Sequence, residues 1–211
     1  MPPPVEAADP ESPAWPLSGG DDVRDELWEA YADPSRGYHD TTHLGEVVAR
    51  VEELAAAGVE FDRTAVLLAA WFHDSIYDGE RDAEERSAAW AEDALPGLTD
   101  EATVSEVVRL IRLTETHRPG ADDPNGWALS DADLAILAAP RERYDAYVAD
   151  VRAEYAHLDD ETFTAGRRAV LTDLLAKPRL FHTDYAFAHW EERARANASA
   201  ELARLTQESV D

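Results

Sequence analysis

From Asp21 onward the apolar residues return at the helical period, and no convincing segment alternates with period two. That pattern excludes a sheet-built core and leaves helix packing as the means of burying apolar surface. Val23, Leu27, Trp28 and Tyr31 predict a first helix that stops at Asp33-Pro34. Leu44, Val47, Val48, Val51, Leu54 and Ala55 predict a second, with Gly58 as its closing residue. Asp62 can cap a third through Val66, Leu67, Ala70 and Trp71, which is apolar on most sides and therefore expected at the centre. A charged, alanine-rich helix is expected over 82–94, and another opening at Thr99 and carrying Val104, Val107, Val108, Ile111 and Thr114. Residues 118–126 read as a loop, with Arg118-Pro119-Gly120 and Asp123-Pro124-Asn125-Gly126. A short helix is expected from Ser130, one from Pro140 with Tyr144, Tyr147, Val148 and Val151, one over 160–176, and a last from about Asp184 to Leu205. The expected fold is an all-α bundle of about eight or nine helices.

The length of 211 residues suits one domain with a core of its own. Residues 1–20 read as a flexible tail, because Pro2, Pro3, Pro4, Pro10, Pro13 and Pro16 interrupt any regular element and Gly19-Gly20 closes the stretch. Only Trp15 and Leu17 could dock it. Residues 21–211 then form the single helical domain. The 45 acidic against 19 basic residues give a net charge of −26. Such a surface repels nucleic-acid backbone and anionic lipid, so neither a nucleic-acid polymer nor a membrane is an expected partner. Cysteine is absent, which removes thiol nucleophiles and thiolate metal sites. No apolar run approaches the ~20 residues of a membrane span, and no basic segment precedes an apolar leader, so a cytoplasmic location is expected.

Three of the seven histidines stand out by their neighbours. Arg36-Gly37-Tyr38-His39-Asp40-Thr41-Thr42-His43 places two histidines at a helix start. Trp71-Phe72-His73-Asp74 ends the most apolar helix with two ionisable residues. Ser130-Asp131-Ala132-Asp133-Leu134 adds two carboxylates. Imidazole nitrogen with carboxylate oxygen suits a divalent first-row ion, and Mg²⁺ less well.

These pieces resemble the HD superfamily of metal-dependent phosphohydrolases, and more closely its small bacterial branch. The resemblance is carried by Tyr38-His39, Phe72-His73-Asp74, Tyr77-Asp78, Glu84 with Ser87-Ala88, Asp131-Ala132-Asp133-Leu134 and Ala194-Arg195-Ala196-Asn197, in order, over about residues 31–205. It implies that His43, His73, Asp74 and Asp133 hold one or two divalent ions, with Mn, Fe, Co, Ni, Zn and Mg not distinguished. Asp74 would also orient water or bridge to a second ion. Glu84 and His117 are the candidates for proton transfer, and His39, Arg36 and Arg118 for substrate contact, with Arg141 a further anion grip. Tyr77 stands where some HD nucleotidases carry a glutamate, so the proton-transfer group must lie elsewhere or be water.

Plainer structural roles compete for each residue. His73 could be a satisfied core histidine and Asp74 a turn residue. Ser130-x-x-Asp133 is also a capping-box pattern, with Asp131 at the first helical position as the substitute ligand. His39 could be a turn histidine, His117 a helix-end histidine, and Glu84 with Ser87 one turn of a solvated face. His182 and His189 receive no role. The expected function is hydrolysis of a small phosphomonoester, a nucleoside 5′-monophosphate being the first guess, by a metal-activated water. The alternatives are a di-iron HD-type oxygenase and a non-catalytic metal-binding helical module. The expected partner is a small phosphorylated metabolite, and a homodimer is allowed.

Overall fold

In the computed structural model, which describes residues 12–79 and 82–208, every residue from Ala65 to Phe72 is buried. Those residues form helix α3, Arg63–Phe72, the central helix that the apolar run predicts. Asp62 caps it by accepting from the Ala65 backbone N–H at 3.1 Å. Before it come α1, Asp21–Tyr31, and α2, Thr41–Ala56. After it come α4, Ala83–Ala94, and α5, Glu101–Thr114. Helices α2 and α5 both pack on α3, and α4 packs on α5. The faces involved are those expected: Leu44, Val47, Val48, Val51 and Leu54 on α2, and Val107, Val108, Leu110 and Ile111 on α5, are all buried. Gly58 closes α2 at φ +83°, a backbone conformation that side chains disfavour.

The second half supplies α6, Pro124–Asp133, a 3-10 turn over Leu134–Ala138, α7, Arg141–Glu154, and α8, Asp160–Ala176. It ends with α9, Asp184–His189, and α10, Glu191–Glu208. Helix α6 packs on α2 and α3, while α10 covers the 3-10 turn and α8. The described residues thus contain ten α-helices and no strand, an all-α bundle. Among them no helix is long and apolar enough to cross a membrane.

Three expected boundaries move. Helix α5 is capped by Asp100, not opened by Thr99, because the Asp100 carboxylate accepts from Ala102 and Thr103 N–H, both at 3.0 Å. Helix α6 starts at Pro124 rather than Ser130. Asp123 accepts from Gly126 N–H at 2.9 Å, so Asp-Pro opens a helix here instead of a loop. Gly126 is required there, since a Cβ would collide with the Asp123 carboxylate and lie 2.7 Å from Leu113 Cδ2. The last helix is two, broken at Trp190, which packs edge-on against Phe181 and Tyr185. Glu191 fixes the break by accepting from the Leu180 and Phe181 N–H groups.

Of the expected tail, residues 12–20 are described and 1–11 lie outside the described residues. Trp15 meets Trp71 edge-on at 5.4 Å, and Leu17 packs on the core.

Candidate metal centre

His43 lies in the first turn of α2, where the Asp40 cap accepts its backbone N–H at 3.1 Å. Its Nδ1 is hydrogen-bonded to Tyr38 Oη at 3.0 Å, which leaves Nε2 facing inward. His73 directly follows α3. Its Nδ1–H donates to the Ala70 carbonyl at 2.8 Å, so Nε2 is again the inward atom. A ring nitrogen tied to a neighbouring acceptor with the other nitrogen free is the arrangement of a metal-ligating histidine. The two Nε2 atoms stand 3.2 Å apart, and both rings are only 1% exposed.

Two carboxylates close on this pair. Asp74 Oδ2 lies 3.1 Å from His73 Nε2 and 3.3 Å from His43 Nε2. Asp133 Oδ1, from the end of α6, lies 3.4 Å from His43 Nε2 and 3.7 Å from His73 Nε2. Around an ion with bonds of ~2.1 Å, adjacent donors fall about 3.0 Å apart in an octahedron and about 3.4 Å apart in a tetrahedron. Four of the five observed spacings fall in that range, and the His73–Asp133 spacing of 3.7 Å lies just beyond it. His43, His73 and Asp133 together could hold a metal ion, each offering one ligand atom with all such atoms within 4.8 Å. Asp74 stands outside that three-residue set, although its Oδ2 approaches both ring nitrogens. The donors are nitrogen and hard oxygen, which fit a divalent ion.

The electrostatics agree. Burial alone would lower the His73 pKa, but Asp74 and Asp133 beside it hold it well above the ordinary value. Burial alone would raise Asp74 and Asp133, yet the facing histidines keep both well below the usual carboxylate range. The carboxylates around His73 favour a positive charge there, so a proton on His73 would compete with a metal for the place. Metal affinity should fall as pH drops through the raised His73 pKa, by up to about tenfold per pH unit for one displaced proton. Titration calorimetry in buffers of different ionisation enthalpy should show proton release on binding.

The backbone around these donors is pinned. Arg36 donates to the carbonyls of His39, Asp74 and Ser75 at 2.7–2.9 Å. Tyr31 Oη accepts from Asp74 N–H at 3.1 Å, and Ser87 Oγ accepts from Ile76 N–H at 3.0 Å. Arg36 thus holds the shape of the site in place of the expected anion grip. His39 donates from Nδ1 to Glu154 Oε1 at 2.6 Å and stacks on Tyr77 at 4.0 Å. Its Nε2 stands 4.0 Å from Asp74 Oδ2. The same Glu154 accepts the backbone N–H groups of Gly37, Tyr38 and His39 at 2.9–3.1 Å. Gly37 admits this turn: a Cβ there would meet the Glu154 backbone nitrogen at 2.9 Å. Gly37→Ala should cost about 1–3 kcal/mol of stability by overpacking, read by thermal unfolding.

His117 joins the group, with Nε2 at 3.3 Å from Asp133 Oδ2 and a left-handed backbone at φ +49°. Asp131 does not join it. Its buried carboxylate accepts from the His182 and Thr183 N–H groups and from Thr183 Oγ1 at 2.7–2.8 Å. The substitute-ligand and capping-box readings of this segment therefore give way to Asp133 at the centre, since Ser130 and Asp131 lie inside α6. Glu84 lines the adjoining cavity without joining the donors. Arg118 pairs with the cavity-lining Asp173 and Arg141 with Asp145, but neither arginine is itself on the lining.

Beside the centre opens a cavity of about 740 Å³. Asp74, His39, Asp133 and His117 stand on its lining, and so do Tyr77, Tyr147, Tyr155 and Phe163. Sequence reasoning missed Glu154. The available signal was its helical spacing from Tyr147 and Val151, an acid on an otherwise apolar face.

Fold and site together define an all-α protein with a candidate divalent-metal centre beside a ligand-sized cavity. The structure is similar to that of Bacillus subtilis YpgQ, solved in complex with ADP. The TM-score is 0.56 at 20% identity, covering 87% of this chain and 96% of that one. At that identity the likeness is one of fold. No protein-family model matches the chain, and no curated protein matches it.

Proposed function

We propose that the protein is a metal-dependent phosphohydrolase of the HD type, cleaving a small phosphomonoester with water as nucleophile. The carrying observation is the convergence of His43, His73, Asp74 and Asp133, with contacts of 3.1–3.7 Å, at the edge of the cavity. The order His, His-Asp, Asp along the chain supports the same family. A bound divalent ion would supply Lewis-acid polarisation of the phosphoryl group and of the attacking water. The four side chains would hold the ion, with Asp74 and Asp133 on the cavity lining. Glu154 orients His39, whose Nε2 faces Asp74 and is placed to touch a substrate oxygen. His117 stands on the other flank of Asp133 and can hydrogen-bond the phosphoryl group. The aromatic lining gives an organic group a surface to stack on and limits water around the reacting atoms. No thiol exists to act as nucleophile, which favours water.

A nucleoside 5′-monophosphate is the first substrate we would test. The ADP complex of YpgQ supports it, because a protein of this fold there holds a nucleotide. The test is a panel of phosphomonoesters with Mn²⁺, Co²⁺, Ni²⁺, Fe²⁺ and Mg²⁺. Release of phosphate that depends on added metal is the expected result. Turnover of none, together with oxygen consumption in the presence of iron, would establish the di-iron oxygenase instead.

A further inference from the structure

The cavity beside the centre is rich in negative charge. Asp74, Glu84, Glu115, Asp133 and Asp173 line it. The chain as a whole carries −26, so an entering phosphate meets repulsion before it reaches the donors. Among the described residues of the lining, only Arg167 and Lys177 carry a permanent positive charge. Arg167 is committed: it forms an ion pair with buried Glu201 at 2.7 Å and donates to Tyr147 Oη at 2.9 Å. Lys177 is not. Its Nζ donates to the His117 carbonyl at 3.4 Å, and no carboxylate oxygen among the described residues comes within ion-pair distance of it. The nearest acid in sequence, Asp173, pairs with Arg118.

The backbone of Lys177 is fixed, so the position of its ammonium is not that of a loose surface lysine. It caps α8 with an extended backbone, its N–H donates to Leu174 O at 3.1 Å, and its carbonyl accepts from Arg195 at 2.7 Å. It is half-buried, and burial pulls its pKa below the ordinary lysine value. The residue it touches, His117, in turn reaches Asp133 at 3.3 Å. A partly desolvated ammonium with Asp173 near enough to act on it but no carboxylate in ion-pair contact, one residue away from the donor set, is a counter-charge able to take an anionic ligand.

We propose that Lys177 is the phosphate-receiving residue of the cavity, binding the substrate's phosphoryl oxygens on the His117 side and thereby setting specificity for anionic esters. This rests on the phosphohydrolase reading of the same cavity. Lysine serves as a point charge here, so it attracts the dianion without demanding a fixed orientation. Because it is none of the four proposed metal-holding residues, it acts on the anion and leaves those donors in place.

The test uses inorganic phosphate as the probe and the full chain loaded with Mn²⁺. Phosphate affinity is measured by calorimetry for the wild type, Lys177→Met and Lys177→Arg. Methionine keeps the apolar stem and removes the charge, so folding is preserved, and circular dichroism checks it. Lys177→Met is expected to weaken phosphate binding about tenfold or more, the loss of one charge-assisted contact, with Mn²⁺ affinity unchanged. Lys177→Arg is expected to restore most of it. Equal phosphate affinity in wild type and Lys177→Met would overturn the assignment, as would a wild type that binds no phosphate. A wild type that binds phosphate through Lys177 yet hydrolyses no ester would refute the hydrolase reading and leave the anion site standing. Wild-type hydrolysis with KM unmoved in Lys177→Met would refute the anion site and leave the hydrolase.

Discussion

Asp74→Ala is expected to abolish metal binding and to lower hydrolysis by on the order of 10³-fold or more, while the helical fold remains. The carboxylate approaches both inward nitrogens, at 3.1 Å from His73 and 3.3 Å from His43. It also leads the partner charges that raise the His73 pKa. Without it, the pocket loses both a donor oxygen and a negative charge that draws a cation to the two inward nitrogens. The fold survives because what ties this turn to the core is backbone: Asp74 N–H donates to Tyr31, and Asp74 O accepts from Arg36. Substitution of the side chain removes neither bond. Far-UV circular dichroism should match the wild type. Global unfolding of the variant would mean that the metal is structural.

Glu154→Ala is the second large effect, and it acts through stability and site geometry together. One carboxylate accepts three consecutive backbone N–H groups and the His39 ring. Removing it leaves those donors to poorly placed water in a part-buried turn. About 3 kcal/mol of stability should be lost, alongside ~10–100-fold in activity as His39 loses its orientation. The pH dependence gives a sharper signature. Burial would raise the Glu154 pKa, but His39 and the backbone donors bring it down to about 2. A depressed carboxylate stabilises the fold above its ordinary pKa, and that contribution is lost as pH falls from about 4.5 toward 2. Glu154→Gln should flatten that portion of the acid-unfolding curve. An unchanged curve would show that Glu154 is no more than a surface acid.

Much of the first half was legible because its signals are local. Helix α3 is apolar on nearly every side, and α2 shows a clean stripe with Gly58 at its end. The resemblance placed His43, His73, Asp74 and Asp133 in one set, and the structure brings them together. What was hidden depends on contacts distant in sequence. Asp131 and Asp133 look alike in the chain. Only the approach of Thr183 and His182 to one, and of His43 and His117 to the other, separates them. Arg36 reads as a free cation until the carbonyls of Asp74 and Ser75 arrive beside it. The break at Trp190 carries no Pro or Gly, because the cause is packing on Phe181 and the Glu191 clasp. Asp123-Pro124 reads as part of a loop in the sequence, although Pro at a first helical position after a capping Asp is a helix start.

The central claim is that one divalent ion sits among His43, His73, Asp74 and Asp133. The most direct test is a crystal structure of the full chain soaked with Mn²⁺, with anomalous differences recorded to locate the metal. The account predicts one strong peak at ~2.0–2.2 Å from His43 Nε2, His73 Nε2 and a carboxylate oxygen of each of Asp74 and Asp133. A map with no peak there at saturating Mn²⁺, or with its strongest peak on other residues, would contradict it.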